Sequence, residues 1–578
     1  MDVNSSHRGR LSEIFEGTAV KIHTESVFVC MLLTIVASAP AFSQELPAKQ
    51  QLAPRELYYE SVTQLQEELG AGKITSVELT RDFIRRIQAL DQHGPHVNSV
   101  IELNPEALKI ARARDRARKA GKARGLLFGI PVLVKDNIDT GESMQTTAGS
   151  LALAGPSASE DATVVAKLWA AGAILLGKTN LSEWANFRSS YATSGWSGRG
   201  GLALNPYVLD RNACGSSSGS AVAVSAGFVT VALGTETDGS LTCPASVNGI
   251  VDIKPTLGLV SRAGIVPISH SQDVPGPMTR SVTDAAAVLS VIAGSDPRDP
   301  ATVDADKHAT DYMQFLRPDS LRGKHIGVVC GLAGFDPNVD RILDQSVTAL
   351  RAAGATVMPV KMPHLQDYEK AEMTVLLYEF KHDLNSYLAT RRGLKVKTLA
   401  DIIEFNRQHA RQEMPWFGQD LFIAAEAKGP LTDKAYTEAL AEEKRLTGPE
   451  GIDAALKAGA LDALMAPASG PAWTTDLVNG DHSGGGGDSP AAVAGYPSIT
   501  VPAGNVHGLP VGMVFFAGRW SEPTLISIGY GFEQATRARI RPRFLSHVSD
   551  TDAVPSMAEP HGTYSISAPA PICPSNTP

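Results

Sequence analysis

CGSSSGSAVAVSAGFVTVALGTETDGSLTCP, residues 214–244, alternates polar loops with apolar segments in a way that constrains the whole fold. It opens with Gly215-Ser-Ser-Ser-Gly-Ser220, runs through a small-residue helical pattern over Ala221–Ala226 and a strand pattern over Val229–Leu233, and closes with Gly234-Thr-Glu-Thr-Asp-Gly-Ser240. By itself a Ser/Gly run describes a flexible linker. Here Ala/Val-rich elements flank both polar loops, and linkers do not sit between elements that must be buried. Both loops therefore belong inside a core fold.

The same alternation continues on either side. Thr75-x-x-Glu78 is a capping box opening a helix with apolar Leu79, Phe83, Ile84, Ile87 and Leu90, stopped by Gly94 and Pro95. Ile130–Val134 is a short apolar run ending in Lys135, and a helix over Ala162–Ala171 leads through Gly172 into a strand over Ala173–Leu176. Ile326–Val329, Asp340–Ala353 and Thr356–Val360 repeat the order strand, helix, strand. The expectation is an α/β fold, a central sheet covered by helices.

A chain of 578 residues, 43% apolar and 20% charged, can bury a large core. No Pro/Gly/Ser or charge-run linker divides it, so residues 44–548 read as one domain. The net charge of −9, with only Arg112–Lys122 locally basic, argues against nucleic acid as a partner. Val27–Ala37 is an apolar run of 11 residues, too short to span a bilayer comfortably and followed by Ala39, Ala41 and Ser43. Residues 1–43 thus read as a secretory signal with a long preceding segment, predicting export and no membrane attachment after cleavage. Ser549–Pro578, with six prolines, reads as a disordered Pro/Ser-rich tail. The five cysteines lie far apart without a C-x-x-C, and His93 and His96 have no further ligand candidates nearby. Neither a disulfide framework, a metal site nor a cofactor is expected.

Two serines compete for the role of nucleophile. Gly215-Ser-Ser217-Ser-Gly219 satisfies the G-x-S-x-G elbow of α/β-hydrolases, but that turn needs a strand just upstream, and residues 205–214 are polar and turn-prone. Thr237-Asp-Gly-Ser240 is the better site, because consecutive backbone N–H groups in such a loop can converge on an oxyanion and Gly239 tolerates the angles required. A serine hydroxyl needs a base, and His270, the only histidine within fifty residues downstream, carries no mark of one. Lys135 is the alternative. Holding a lysine neutral at pH 7 costs about 4.6 kcal/mol from an ordinary pKa near 10.4, which burial at a strand end can supply.

These blocks resemble the amidase signature family of Ser-cisSer-Lys hydrolases. The resemblance rests on GIPVLVKDN at 129–137, GKTNLSEWANF at 177–187, the serine loops themselves, KPTLGLVSRAGIVP at 254–267, SQDVPGPMTRSVTDAA at 271–286, LDALMAPAS at 461–469 and GYPSITVPAG at 495–504. It covers about residues 55–540, and the 24-residue step from Ser216 to Ser240 matches the family's spacing. It implies a mixed sheet with helices on both faces and a triad in which Ser240 is the acyl-enzyme nucleophile, Ser216, on a cis peptide bond, the proton bridge and Lys135 the base. It further implies that Ser217 hydrogen-bonds Lys135, and that the backbone N–H groups of Thr237, Asp238, Gly239 and Ser240 form the oxyanion hole.

Ser218, Asp238 and Thr242 depart from the commoner family pattern. In these variants the chain resembles the exported branch that deamidates C-terminal peptide amides, and an Asp at 238 must keep its charge from the oxyanion. The implied reaction is hydrolysis of a small-molecule or peptide carboxamide to carboxylate and ammonia. The rivals are the glutaminase component of a tRNA-dependent amidotransferase, a broad-specificity amidase, an α/β-hydrolase using Ser217, and an inactive binding relative. Export opposes the first, and the presence of Lys135 and both serines opposes the last.

Overall fold

Apolar runs without polar alternation must be covered on both faces, and this requirement places the two runs that precede the site side by side. In the computed structural model, which describes residues 57–141, 144–548 and 571–573, Pro131–Lys135 and Val231–Glu236 are buried along their whole length and pair in parallel, Val134 opposite Leu233. The strands in chain order are β1 (Val100–Leu103), β2 (Pro131–Lys135), β3 (Ile174–Thr179), β4 (Trp196–Ser197), β5 (Gly201–Leu202), β6 (Val231–Glu236) and β7 (Val251–Lys254). They continue with β8 (Val274–Thr279), β9 (His325–Val329), β10 (Thr356–Val360), β11 (Ala463–Pro467), β12 (Ser498–Val506) and β13 (Leu509–Phe516). Eleven of them form one mixed sheet in the order β1-β3-β2-β6-β8-β7-β12-β13-β11-β9-β10, and β4 and β5 form a separate hairpin.

Helices flank the sheet, as expected for the α/β class. The one capped by Thr75 spans Ser76–Arg86 with its capping box formed, and buries Leu79 and Phe83. Because β2 and β6 are parallel, their carboxyl ends open at the same edge, where α/β folds place their ligands. Lys135 ends β2 and the Thr237–Ser240 loop follows β6. The helix Ser218–Ser225, entirely buried, lies against β2, β3, β6 and β8 and carries Ser216 and Ser217 at its start.

Two expectations need correction. Cys214–Cys243 and Cys330–Cys573 are disulfides, with Cα atoms 6.1 and 5.4 Å apart. Their sequence separations of 29 and 243 hid them, since only the folded sheet brings these positions together. The second bridge also ties down part of the tail expected to be disordered: Ile572 donates its N–H to Asp344 Oδ1 at 2.9 Å, and Cys573 is joined to the end of β9. The proposed signal over residues 1–43 and the tail over 549–570 lie outside the described residues.

Candidate active site

Among the described residues Lys135, Lys178 and Lys254 are fully buried lysines beside the central strands, and only the first touches a candidate serine. Lys135 Nζ lies 2.7 Å from Ser216 Oγ and donates to Thr235 Oγ1 at 2.9 Å and to the Thr235 carbonyl at 3.2 Å. Burial pulls its pKa down to about 7, against the opposing charges of Asp273 and Glu236. Lys178 instead donates to the Ile138 carbonyl and Thr146 Oγ1 and faces Asp136 at 3.8 Å, and Lys254 bonds the Tyr496 carbonyl.

The two serine loops are joined by one hydrogen bond and one disulfide. The Gly215–Ser216 peptide bond is cis. Ser217 N–H donates to the Ser240 carbonyl at 3.2 Å, and the Cys214–Cys243 bridge spans the outer ends of both loops. Gly239 has φ of 73°, as the sequence required. The backbone N–H groups of Thr237, Asp238, Gly239 and Ser240 donate no hydrogen bond among the described residues, whereas the next two, from Leu241 and Thr242, both go to Glu236 Oε2 at 2.7 and 2.9 Å. Four consecutive donors are therefore left without a partner among the described residues, on the loop that ends at Ser240, which is itself 7% exposed.

Ser217 does not bond Lys135 as the resemblance implied. Its hydroxyl donates to the Thr235 carbonyl at 3.0 Å and accepts from the Thr235 N–H at 3.2 Å. The serine opens a buried helix that points it at β6, so the hydroxyl that holds Lys135 beside Ser216 belongs to Thr235. Asn137 Nδ2 donates to that same Thr235 Oγ1 at 3.0 Å. The elbow geometry is also missing, since residues 205–214 form isolated bridges and no strand.

Asp238 is shifted in the direction its position demands. Desolvation and the nearby Glu372 and Glu236 push its carboxyl well above the usual range. Glu372, raised to about 7 by burial, accepts from Gln272 Nε2 at 3.0 Å, and Asp488, raised to about 8 by desolvation and by Asp238, packs over Gly239. Crowding of these carboxyls in a buried setting favours the neutral form of Asp238, the one nearest the four N–H groups in sequence. Thr237 is anchored from outside by Asp273, whose Oδ1 accepts its hydroxyl at 2.6 Å. Thr235, Asn137, Glu372, Asp273 and Asp488 were all missed by sequence reasoning. Asn137 alone carried a signal, two residues beyond Lys135.

Two cavities flank the loop. One of about 330 Å³ is lined by Gly215, Asp238, Gly239, Cys214 and Cys243, together with Asp481, Ser483–Gly486 and Asp488. Another of about 420 Å³ is lined by Thr235, Thr237, Asp273, His270 and the apolar run Ile265–Ile268. The smaller one adjoins both serine loops, so it is the better candidate for substrate. His270 faces the larger cavity with Nδ1 2.8 Å from Asp383 Oδ2 and Nε2 3.3 Å from Glu379 Oε1, in contact with carboxylates and with neither serine.

A mixed α/β sheet here sets a buried lysine against one of two loop serines, with no histidine in contact with either serine. A family model described as Amidase matches residues 78–526. A solved native peptide amidase from Stenotrophomonas maltophilia is 52% identical, with a TM-score of 0.80 over 84% of this chain and 98% of that one. A probable amidase of Arabidopsis thaliana is 42% identical over 82% of this chain and 89% of its own. A glutamyl-tRNA(Gln) amidotransferase subunit from Moorella thermoacetica is 35% identical over 83% of this chain and 97% of its own. The chain belongs to the amidase signature family and is an amidase-family hydrolase.

Proposed function

We propose that this chain hydrolyses the C-terminal carboxamide of peptides through a Ser240 acyl-enzyme. The observation that carries the reading is the buried Lys135 Nζ 2.7 Å from Ser216 Oγ, on loops tied to Ser240. A neutral amine has two N–H donors and one lone pair. Thr235 can take both donors through its carbonyl and hydroxyl, which leaves the lone pair for the proton of Ser216. Ser240 Oγ then attacks the amide carbon, its proton passes to Ser216 Oγ, and the Ser216 proton passes to Lys135. The four free N–H groups of Thr237–Ser240 receive the developing oxyanion. As the C–N bond breaks, the relay runs backwards and protonates the departing NH₂ to ammonia. Water, activated by the same relay, releases the carboxylate.

Peptide amides as substrates are supported by the 52% identity to a peptide amidase and by a polar cavity beside both serine loops. Export is supported by the apolar run Val27–Ala37 and by two disulfides, which persist in oxidising compartments. The mature protein should therefore begin close to Gln44 and lie outside the cytoplasm. N-terminal sequencing of protein from the native host tests this, and a full-length cytosolic chain would contradict it.

The substrate reading is tested by ammonia release from the purified chain alone. N-protected dipeptide amides should be hydrolysed, the L-amide in preference to the D-amide. Free glutamine should be far poorer, since one residue lacks the remote contacts that stabilise a transition state. Equal use of glutamine, or a need for added subunits, would favour the amidotransferase reading and leave the triad standing.

A further inference from the structure

β6 and β8 pair antiparallel, with Gly234 opposite Gly276 and Glu236 opposite Val274. Pro275 and Pro277 have no N–H to give, so the ladder bonds between the two strands fall on those two pairs, and the next pair in the alternation would be Asp238 with Gln272. That pair is not made. The chain turns just before β8, where the N–H groups of Gln272 and Asp273 both go to the Ser269 carbonyl, at 3.3 and 2.9 Å, and the Asp238 N–H keeps no partner among the described residues. Had the ladder run one pair further, it would have taken a donor from the loop Thr237–Ser240.

A loop that is to receive an anion must still be held, and here the contacts avoid its N–H groups. Gln272 is fully buried, and its Nε2 donates to the Thr237 carbonyl at 3.3 Å and to Glu372 Oε1 at 3.0 Å. An amide nitrogen has two hydrogens, and these two acceptors take both. Turning the amide over would set its oxygen against the Thr237 carbonyl, so the partners fix its orientation. Glu372 comes from the first turn of the helix Glu369–Thr390 and is itself buried. Asp273 accepts the Thr237 hydroxyl on Oδ1 at 2.6 Å, while its Oδ2 accepts the N–H groups of Ile268 and Ser269 at 2.8 and 3.0 Å. Thr237 is thus gripped by its carbonyl and its hydroxyl, and all four N–H groups of the loop stay free of the grip.

We propose that Gln272, aimed by Glu372, is a positioning residue for amide hydrolysis: it fixes the Thr237 carbonyl and with it the direction of the loop's N–H groups, a role that rests on the oxyanion reading given above. The Thr237 carbonyl and the Asp238 N–H belong to one planar peptide unit, so holding the oxygen orients that donor directly. Donors preset toward a developing charge act without reorganising, and a misplacement of about 1 Å can lower a rate about 10²-fold.

The test uses Gln272→Met in the purified full chain, a change that keeps the length of the side chain and removes both donors. Turnover of N-acetyl-Leu-Phe-NH₂ should fall about ten- to hundredfold in kcat, with KM within about threefold of wild type. Two inhibitors separate positioning from a general disturbance of the cavity. N-acetyl-Leu-phenylalaninal adds the Ser240 hydroxyl across its C=O to give a hemiacetal whose oxygen lies where the oxyanion forms, whereas N-acetyl-Leu-phenylalaninol binds without that bond. Gln272→Met should weaken the aldehyde by about tenfold or more and the alcohol by less than about twofold. Glu372→Gln should keep kcat within about threefold, because its amide oxygen still accepts from Gln272, and Glu372→Leu should lose about three- to tenfold, the scale of one hydrogen bond. Melting temperatures show which variants fold, and Glu372→Leu carries the same inhibitor comparison should Gln272→Met not fold. A folded Gln272→Met variant with kcat within about twofold of wild type, or one that weakens both inhibitors equally, would overturn the role of Gln272 while the oxyanion reading survives. Wild type binding the aldehyde no more tightly than the alcohol would overturn that reading and the role of Gln272 with it.

Discussion

Ser240→Ala is expected to lower turnover by about 10⁴-fold or more while leaving the fold unchanged. The size follows from the role: a covalent-catalysis residue acts as a unit with its proton relay, and removing it leaves only binding and oxyanion stabilisation. The fold should be indifferent because the Ser240 hydroxyl makes no hydrogen bond among the described residues and its side chain is small. Its backbone carbonyl, which anchors Ser217 N–H, survives the substitution. The stability change should stay within about 0.5 kcal/mol. Steady-state ammonia release and thermal unfolding on the same preparation check both halves. Retention of more than about a hundredth of wild-type turnover would remove Ser240 from the covalent step.

Lys135→Ala should nearly abolish turnover at every pH, and wild-type kcat/KM should fall as pH drops below about 7. The sign follows from the direction of the shift. Burial lowers the lysine from its ordinary value to about 7, so above that pH it is neutral and can accept the Ser216 proton. Below it the amine is protonated and the relay stops. Unlike Ser240, this residue is also structural, since its bonds to Thr235 help hold the ends of β2 and β6 together. The variant should unfold more easily, and activity must be read where circular dichroism shows it folded. An acid limb that persists unchanged in a residually active Lys135→Ala variant would assign it to another group, and Asp273, raised to about 6 by burial, would be the first to consider.

The legible parts of this fold were those with local causes. Thr75 and Glu78 announce a helix start through a capping box, and the structure forms it over Ser76–Arg86. The unbroken apolar run before Lys135 announces a strand buried on both faces, and β2 is one. Ser216, Ser240 and Lys135 could be singled out because two polar loops and a lysine stood where apolar elements ended. What stayed hidden depends on distance along the chain. Cys330 and Cys573 are 243 residues apart, and nothing near either one announces the pairing. Glu372, on the helix Glu369–Thr390, reaches Gln272 and the Asp238 carboxyl only because the fold returns to the site after a hundred residues. Likewise, Ser217 was given a bond that Thr235 makes, because a family pattern gives residue types without the direction in which a helix start points a hydroxyl. β8, reading Val-Pro-Gly-Pro-Met-Thr, carries two prolines that argue against a central strand, yet it lies between β6 and β7.

Ser240, and no other serine in the two loops, should become covalently bonded to the acyl carbon. A fluorophosphonate probe forms the corresponding bond to an activated serine, and proteolysis followed by mass spectrometry reads which one. A single label is expected on the peptide containing Ser240, lost in Ser240→Ala and strongly slowed in Lys135→Ala. A label on Ser217 would contradict it and restore the nucleophile elbow.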